Sequence, residues 1–232
     1  MTTRSQISLA LVLTLCAFPA SATADPYWIT YEGNDFPENE GWERHWGNRQ
    51  GAHQGGAIRT IDDGVLTLDT LYDEGAYDFA KLVSPGQFTP GPGETFVVEW
   101  RGMVDETLGD HYDASVGLRS DDAWAVGFGI FTDHIMNYWG DGVSIPITPG
   151  VFHDYRLHST DMRAYALFID DELVHEGSFG QGAMASSIGW GNVVSGDSSR
   201  SHWDYVRFGI VPEPCSIAMF LVVSVSLVRR RT

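Results

Sequence analysis

Short segments in which apolar and polar side chains alternate recur along most of the chain, each bounded by glycine, proline or aspartate. The clearest spans residues 96–101, where Phe96, Val98 and Trp100 fall on one side of an extended backbone and the remaining three residues on the other. A period of two residues is typical of a strand with one buried face. Almost no stretch between residues 25 and 210 shows a helical period, so the pattern predicts strands.

We predict about ten strands, with turn signals between them. The polar "SDD" at 120–122 predicts a hairpin, and the Gly-Ser-rich stretch 187–201 is expected to be a loop. No internal repeat is evident, and short antiparallel strands at regular spacing favour one β-sandwich domain over residues 25–210. The clearest predicted strands are 65–69, 96–101, 114–119, 124–131, 135–139, 155–158, 164–169, 173–176 and 202–210.

Three motifs in the second half carry a family resemblance. "FHDYR" (152–156) precedes a predicted hairpin at "FIDDE" (168–172), and "WDYVRF" (203–208) forms the last strand. In this order the motifs resemble the concanavalin A-like, laminin-G-like jelly roll, with Asp171 where the family usually has glycine. Aspartate tolerates left-handed backbone geometry, so the turn is expected to form. The resemblance implies an all-β antiparallel sandwich, a fold that carries lectins, glycosidases and adhesion modules alike.

Residues 1–24 have the features of a secretory signal peptide. Arg4 precedes an apolar run from residue 7 to residue 18, and small side chains at Ala22 and Ala24 stand where signal peptidase cleaves. The mature chain is therefore expected to begin near Asp25. Export through signal peptidase follows from this prediction.

The last residues, 211–232, combine a Val-Pro-Glu-Pro motif, an apolar stretch and a cluster of three arginines. A helix over the apolar stretch 216–228 would be about 20 Å long, short for a hydrocarbon core of roughly 30 Å, and the following arginines would stay cytoplasmic. This tail resembles a PEP-CTERM sorting signal, which implies an exosortase as partner, transient membrane anchoring through residues 215–228 and a final place at the cell surface. A plain tail anchor is the alternative. The expected signal residues are Val211, Pro212, Glu213, Pro214, Arg229, Arg230 and Arg231.

Charge and cysteine content limit the function classes. The chain has 31 acidic and 14 basic residues and a formal net charge of −17, which disfavours nucleic acid and anionic membrane surfaces as partners. Its two cysteines, Cys16 and Cys215, lie in the terminal segments. The sandwich is therefore expected to have no disulfide and to depend on its apolar core.

Catalytic motifs are lacking in the sequence. A glycosidase needs two carboxylates about 5 to 10 Å apart, but Asp170 and Glu172 fall in the predicted turn, and Glu99 and Asp105 lie far apart along their strand. No Gly-x-Ser-x-Gly or His-Glu-x-x-His string occurs, and Lys81 is the only lysine. We therefore predict a protein that is not an enzyme.

Two kinds of ligand are expected instead. Exposed aromatic rings with nearby carboxylates or amides suit sugars, and the candidates are Tyr138, Trp139, Asp141, Trp190 and Asn192. Trp190 has a second interpretation as a plug at one end of the sandwich, and Trp124 is expected to be in the core. A single structural calcium ion is the expected cofactor. Its candidate ligands are Glu32, Asp35 and Asp204, or alternatively the acidic loops 105–113 and 120–122.

Taken together, these patterns predict an exported, non-catalytic β-sandwich at the cell surface or in the extracellular matrix, with carbohydrate or exopolysaccharide as its expected ligand. A carbohydrate-active enzyme (a glycoside hydrolase or lyase) on the same scaffold is the main alternative. A purely structural coat component is a third class, and it would bind no sugar.

Overall fold

The structure is a computed structural model that describes most of the region predicted to form the sandwich. The predicted signal peptide and the sorting residues from Glu213 onward lie outside the described residues. Within the described ranges, no helix is long and apolar enough to cross a membrane. The described residues are 29–48, 55–72, 75–83, 89–109, 114–120, 124–182, 185–193 and 198–212.

Apart from a 3-10 turn at Pro37–Asn39, the regular elements of the described residues are strands. In chain order they are β1 (Ile29–Tyr31), β2 (Glu43–Asn48), β3 (Ile58–Asp62), β4 (Val65–Asp69), β5 (Ala76–Val83), β6 (Glu94–Leu108), β7 (Ala114–Arg119), β8 (Trp124–Ile130), β9 (His134–Asn137), β10 (Ser144–Pro146), β11 (His153–Ser159), β12 (Ala164–Ile169), β13 (Glu172–Ser178), β14 (Gly180–Gln181), β15 (Ser187–Asn192) and β16 (Ser198–Pro212).

The strands form two antiparallel sheets of eight strands each. Sheet I has the order β13-β12-β11-β6-β16-β4-β3, and β1 also pairs with β16. Sheet II has the order β10-β9-β8-β7-β15-β5-β2, and β14 also pairs with β8. The predicted all-β antiparallel sandwich is confirmed, as is the predicted hairpin between β7 and β8.

Aromatic side chains fill the space between the sheets. Trp190 of sheet II lies between Trp203 and Tyr31 of sheet I, with ring centroids 5.2 Å and 4.7 Å away. Farther along the core, Trp100 stacks on Tyr155 at 5.1 Å. All five rings are fully buried, and truncating such a ring to alanine costs about 3–5 kcal/mol. The core therefore supplies the stability that disulfides give many small exported domains.

The expectation of a loop over 187–201 was wrong. Residues 187–192 form β15, which lies in the middle of sheet II between β7 and β5. Ile188, Trp190 and Asn192 face the core, whereas Gly189 faces outward. This strand alternates large and small side chains rather than apolar and polar ones. Its period of two was therefore not recognised in the sequence, because glycines usually signal turns.

The hairpin turn between β12 and β13 has the expected left-handed geometry. Asp170 and Asp171 have φ values of 51° and 65°. The Asp170 carboxylate also ties the turn to β11, because it accepts hydrogen bonds from His153 Nδ1 (2.6 Å) and from the Asp154 amide (3.0 Å). Aspartate thus supplies both the turn geometry and a cross-link to the neighbouring strand.

The closing strand is longer than predicted. β16 begins at Ser198 and ends at Pro212, where Val211 pairs with Thr95 and Pro212 with Glu94. The first two residues of the predicted sorting signal therefore lie in sheet I, two residues past the boundary expected at residue 210.

Candidate functional site

An open groove of about 470 Å³ runs over the outer face of sheet II, on the side away from the core. Because side chains alternate between the two faces of a strand, core-facing residues of β5, β7 and β15 leave their neighbours to line this groove. The lining residues are His45, Tyr77, Phe79, Lys81, Ser115, Gly117, Arg119, Tyr138, Trp139, Ser187, Gly189 and Val193.

A row of three glycines runs under the groove, and two of them, Gly117 and Gly189, line its floor. Gly127 of β8 is paired with Gly117 of β7, and Gly117 is paired in turn with Gly189 of β15. Three adjacent strands therefore present bare backbone at the same level of the sheet. With strands about 4.8 Å apart, the row spans about 10 Å. We call Gly117, Gly127 and Gly189 the glycine row.

Tyr138 and Trp139 form one wall of the groove, just after β9. The Tyr138 ring covers Gly127 so closely that a Cβ there would lie 2.3 Å from its Cζ. Trp139 Cζ3 would lie 3.5 Å from a Cβ at Gly117, and the Trp139 side chain is 36% exposed. The glycine row thus makes the space that these two rings occupy, and the structure brings together two of the predicted ligand residues.

Aromatic residues of β5 and β2 form the opposite wall. His45 stacks on Phe79 with ring centroids 5.2 Å apart and an angle of 14° between the planes. Tyr77 lies beside Phe79 at 6.1 Å. The groove therefore has aromatic faces on two sides, and the floor between them is open at Gly189, which neither Tyr138 nor Trp139 covers.

Asp141 supports the wall rather than lining the groove. Its carboxylate accepts hydrogen bonds from His175 Nε2 (2.6 Å) and Asn137 Nδ2 (3.1 Å). Asn137 is buried, donates to the Tyr165 hydroxyl (2.7 Å) and accepts from the Trp139 amide (3.1 Å). This network fixes the turn that carries Trp139, so the predicted direct ligand role of Asp141 is replaced by a positioning role.

Burial raises the pKa of Asp141, but hydrogen bonds from His175 and from the Val143 amide outweigh it, so the net pKa lies below its usual value. A carboxylate with a lowered folded-state pKa stabilises the fold above its unfolded pKa of about 3.9 and loses that contribution as the pH falls through the folded value. The turn beneath Trp139 is therefore expected to hold at neutral pH and to loosen in acid.

The other two predicted ligand residues belong to the core, so that prediction was wrong. Trp190 is fully buried between the sheets, which agrees with its alternative interpretation as a packing residue. Asn192 is also fully buried, and its Nδ2 donates to the carbonyl oxygens of Leu68 and Ser199, each at 3.2 Å. Trp124 is only half-buried, under the guanidinium of Arg163.

The proposed calcium ligands come from neighbouring segments but have other partners. β1 pairs with β16 as expected from the meeting of the termini, yet Glu32 forms a double hydrogen bond with Arg207 (2.6 and 2.8 Å). Asp204 pairs with Arg101 at 3.3 Å, and Asp35 accepts from the Phe36 amide. Among the described residues, no three His, Cys, Asp or Glu side chains are grouped to hold a metal ion. Calcium binding stays a prediction; the loops 110–113 and 121–122 lie outside the described residues.

Most of the groove was not foreseen from the sequence. Tyr77, Phe79 and Lys81 alternate outward along β5, and this period-two signal was available in "AYDFAKLV". Arg119 alternates with Ser115 and Gly117 in the predicted strand 114–119, whereas His45 carries no such signal, and only the pairing of β2 with β5 and of β7 with β15 brings them to one surface.

Comparison with known proteins identifies the fold of the chain but assigns it to no family. No family model matches the chain, and no curated protein matches it. Among solved structures, a conserved carbohydrate esterase from the Shiga toxin-encoding bacteriophage phi24B is similar, with a TM-score of 0.59 at 10% identity over 80% of this chain and 98% of that one. The globular domain of T. cruzi calreticulin has a TM-score of 0.50 at 14% identity, covering 79% and 88%.

A sialidase also has a TM-score of 0.50 at 10% identity, and the similarity covers 81% of this chain but 19% of the sialidase. At these identities the likeness shows the fold alone. This protein has a β-sandwich of the jelly-roll kind, an architecture shared with carbohydrate-related proteins.

Proposed function

We propose that this protein is an exported cell-surface or extracellular-matrix protein that binds a polysaccharide chain in the sheet II groove without cleaving it. The observation that carries the proposal is the floor at Gly117 and Gly189 between two aromatic walls. Sugar rings present apolar faces that stack on aromatic side chains, and a bare floor lets a chain lie across the strands. Ser115 and Ser187 also belong to the groove lining, where both are largely buried.

Export is supported by the sequence of the two terminal segments. The signal peptide of residues 1–24 and the exosortase signal of residues 211–232 would deliver the sandwich to the cell surface after transient anchoring in the membrane. A polysaccharide-binding groove fits that location, because extracellular polymers are then its neighbours.

The absence of a carboxylate from the described groove lining supports binding over glycoside hydrolysis, which in most families requires a pair of carboxylates. One observation supports the alternative function, a carbohydrate-active enzyme such as a lyase. His45 and the tyrosines at the groove are groups that can transfer protons.

Titration of the purified protein with soluble polysaccharides, combined with an assay for new chain ends, tests both functions. We expect binding without release of products. Trp139→Ala should raise Kd about tenfold, which corresponds to about 1.4 kcal/mol. Trp46→Ala is the matched control, because Trp46 is 49% exposed on β2 and lies outside the groove lining. Equal loss in both variants would refute the groove as the site, and chain cleavage abolished by His45→Ala would establish the enzyme instead.

A further inference from the structure

Six of the nine lysine and arginine side chains in the described part of this acidic protein form ion pairs with carboxylates. The structure describes eight arginines and one lysine, against a chain total of 31 acidic residues. With so many carboxylates available, an ion pair is the ordinary state of an arginine here. The paired arginines are Arg44, Arg59, Arg101, Arg156, Arg200 and Arg207.

Within the described ranges, only Lys81, Arg119 and Arg163 form no ion pair, and two of these three line the groove. Lys81 is the only lysine of the chain and lies beside Gly189 in the sheet register. The Arg119 guanidinium lies over the Trp139 ring, 4.6 Å from its centroid. The cations kept unpaired are therefore concentrated at the surface that the proposed ligand would occupy.

The two cations stand on opposite sides of β15. Lys81 is on β5 and Arg119 is on β7, and these strands flank β15 in the sheet. Their backbones are thus separated by about 10 Å across the strands. Lys81 is paired with Gly189 at the end of the glycine row, and Arg119 lies two residues from Gly117 along β7, so a chain lying on Gly117 and Gly189 would run past both charges.

Among the residues that the structure describes, no carboxylate forms an ion pair with Lys81 or Arg119. No Asp or Glu belongs to the described lining of the groove. Glu43 of β2 is the register partner of Lys81, but its ion pair is with His45, whose Nε2 lies 3.6 Å from its Oε2, and its side chain is largely exposed at the sheet edge. A cleft with one sign of charge and low-dielectric walls focuses its field on the bound molecule.

We propose that the groove selects an acidic polysaccharide, with carboxylate or sulfate groups at Lys81 and Arg119 and sugar faces on the aromatic walls. This inference rests on the proposed function of the groove. Arginine suits planar anions because its guanidinium donates two parallel hydrogen bonds, and lysine acts as a point charge. A protein of net charge −17 repels polyanions in general, so binding to one requires a local site.

The test compares polymers that differ only in charge. The purified full chain is titrated with polygalacturonate, with its fully methyl-esterified form, with dextran sulfate and with dextran. We expect at least tenfold tighter binding of an acidic polymer than of its neutral counterpart, weakened by added NaCl. Preference for polygalacturonate assigns the anion as carboxylate, and preference for dextran sulfate assigns it as sulfate.

Charge-removing variants locate the selectivity. Lys81→Met and Arg119→Gln should each reduce the preference for the acidic polymer at least fivefold while thermal unfolding stays unchanged. Arg163→Gln is the matched control, because Arg163 also stacks on a tryptophan (5.7 Å from the Trp124 centroid) but lies outside the groove lining.

The outcomes separate the two proposals. Equal binding of neutral and acidic polymers, weakened about tenfold by Trp139→Ala, would overturn the acidic preference and leave the polysaccharide groove standing. Acidic preference that survives the loss of both Lys81 and Arg119 would also overturn it. No binding of any of the four polymers would count against both the groove and its charge selectivity.

Discussion

The glycine row offers a way to block the groove without damaging the fold, and Gly189→Val is the sharpest perturbation. A Cβ built at Gly189 meets the Ala80 carbonyl oxygen at 3.4 Å and side-chain carbons of Lys81 and Phe79 at 3.8 Å. These are ordinary van der Waals contacts, and the backbone at Gly189 is not in the left-handed region. The sheet therefore accepts a side chain at this position.

The expected magnitudes follow from that geometry. Valine suits a strand better than glycine by up to about 1 kcal/mol, so Tm should stay level or rise by about 2–4 °C. A ligand resting on bare backbone would keep carbon atoms about 3.5–4.0 Å away, and the Cβ alone stands about 1.5 Å above the Cα. The valine methyls would thus occupy the ligand's place, and Kd should rise tenfold or more.

Isothermal titration with the polysaccharide that wild type binds, together with thermal unfolding, measures both effects. Ala166→Val is the control, since Ala166 faces outward from β12 on sheet I and its change adds bulk to the opposite face. If Gly189→Val is folded and binds with the wild-type Kd, the ligand does not lie on the glycine row.

Three further changes test polar contacts that hold the fold together. Asp78→Ala should lower the urea unfolding free energy by about 2–3 kcal/mol, because it leaves the Arg44 guanidinium in the sandwich without its buried carboxylate. Asn137→Ala should weaken polysaccharide binding at least fivefold in titration, because the Trp139 amide loses its acceptor. Asp170 has a pKa lowered by the Asp154 amide and His153 despite partial burial. The contribution of the Asp170 carboxylate to the unfolding free energy is therefore complete above about pH 4 and is lost as the pH falls further. Between pH 5 and pH 2.5, the unfolding free energy of Asp170→Asn should fall less than that of the wild type.

The sequence predicted the strands whose two faces differ in polarity. β4, β7 and β12 were located to the residue, because their inward positions are apolar and their outward positions, except Val65 and Phe168, carry polar or small side chains. β15 escaped the same reasoning, since both its faces are free of charge and its outward residues are glycine and serine. Composition-based turn signals fail where a glycine serves to keep a surface bare rather than to bend the chain.

The site was predicted only in part for a related reason. Tyr138 and Trp139 are adjacent in the chain, so their joint exposure could be anticipated from one short segment. The floor depends on Gly117, Gly127 and Gly189, which come from three strands and meet through pairing register alone. A single-residue shift of β15 against β7 would place Ile188 or Trp190 at the floor and remove the groove.

The register that makes the groove is itself fixed by the core. Trp190 is next to Gly189 in β15 and packs against Trp203 and Tyr31 of the opposite sheet. Because neighbouring residues of a strand point to opposite faces, seating Trp190 in the core obliges Gly189 to face the groove. Trp190→Ala should therefore do more than leave a cavity. We expect it to lower the unfolding free energy by about 3–5 kcal/mol and also to weaken polysaccharide binding, although Trp190 never contacts the ligand. Titration at a temperature where the variant remains folded checks this coupling; wild-type affinity in a destabilised Trp190→Ala protein would show that strand pairing alone holds the groove in register.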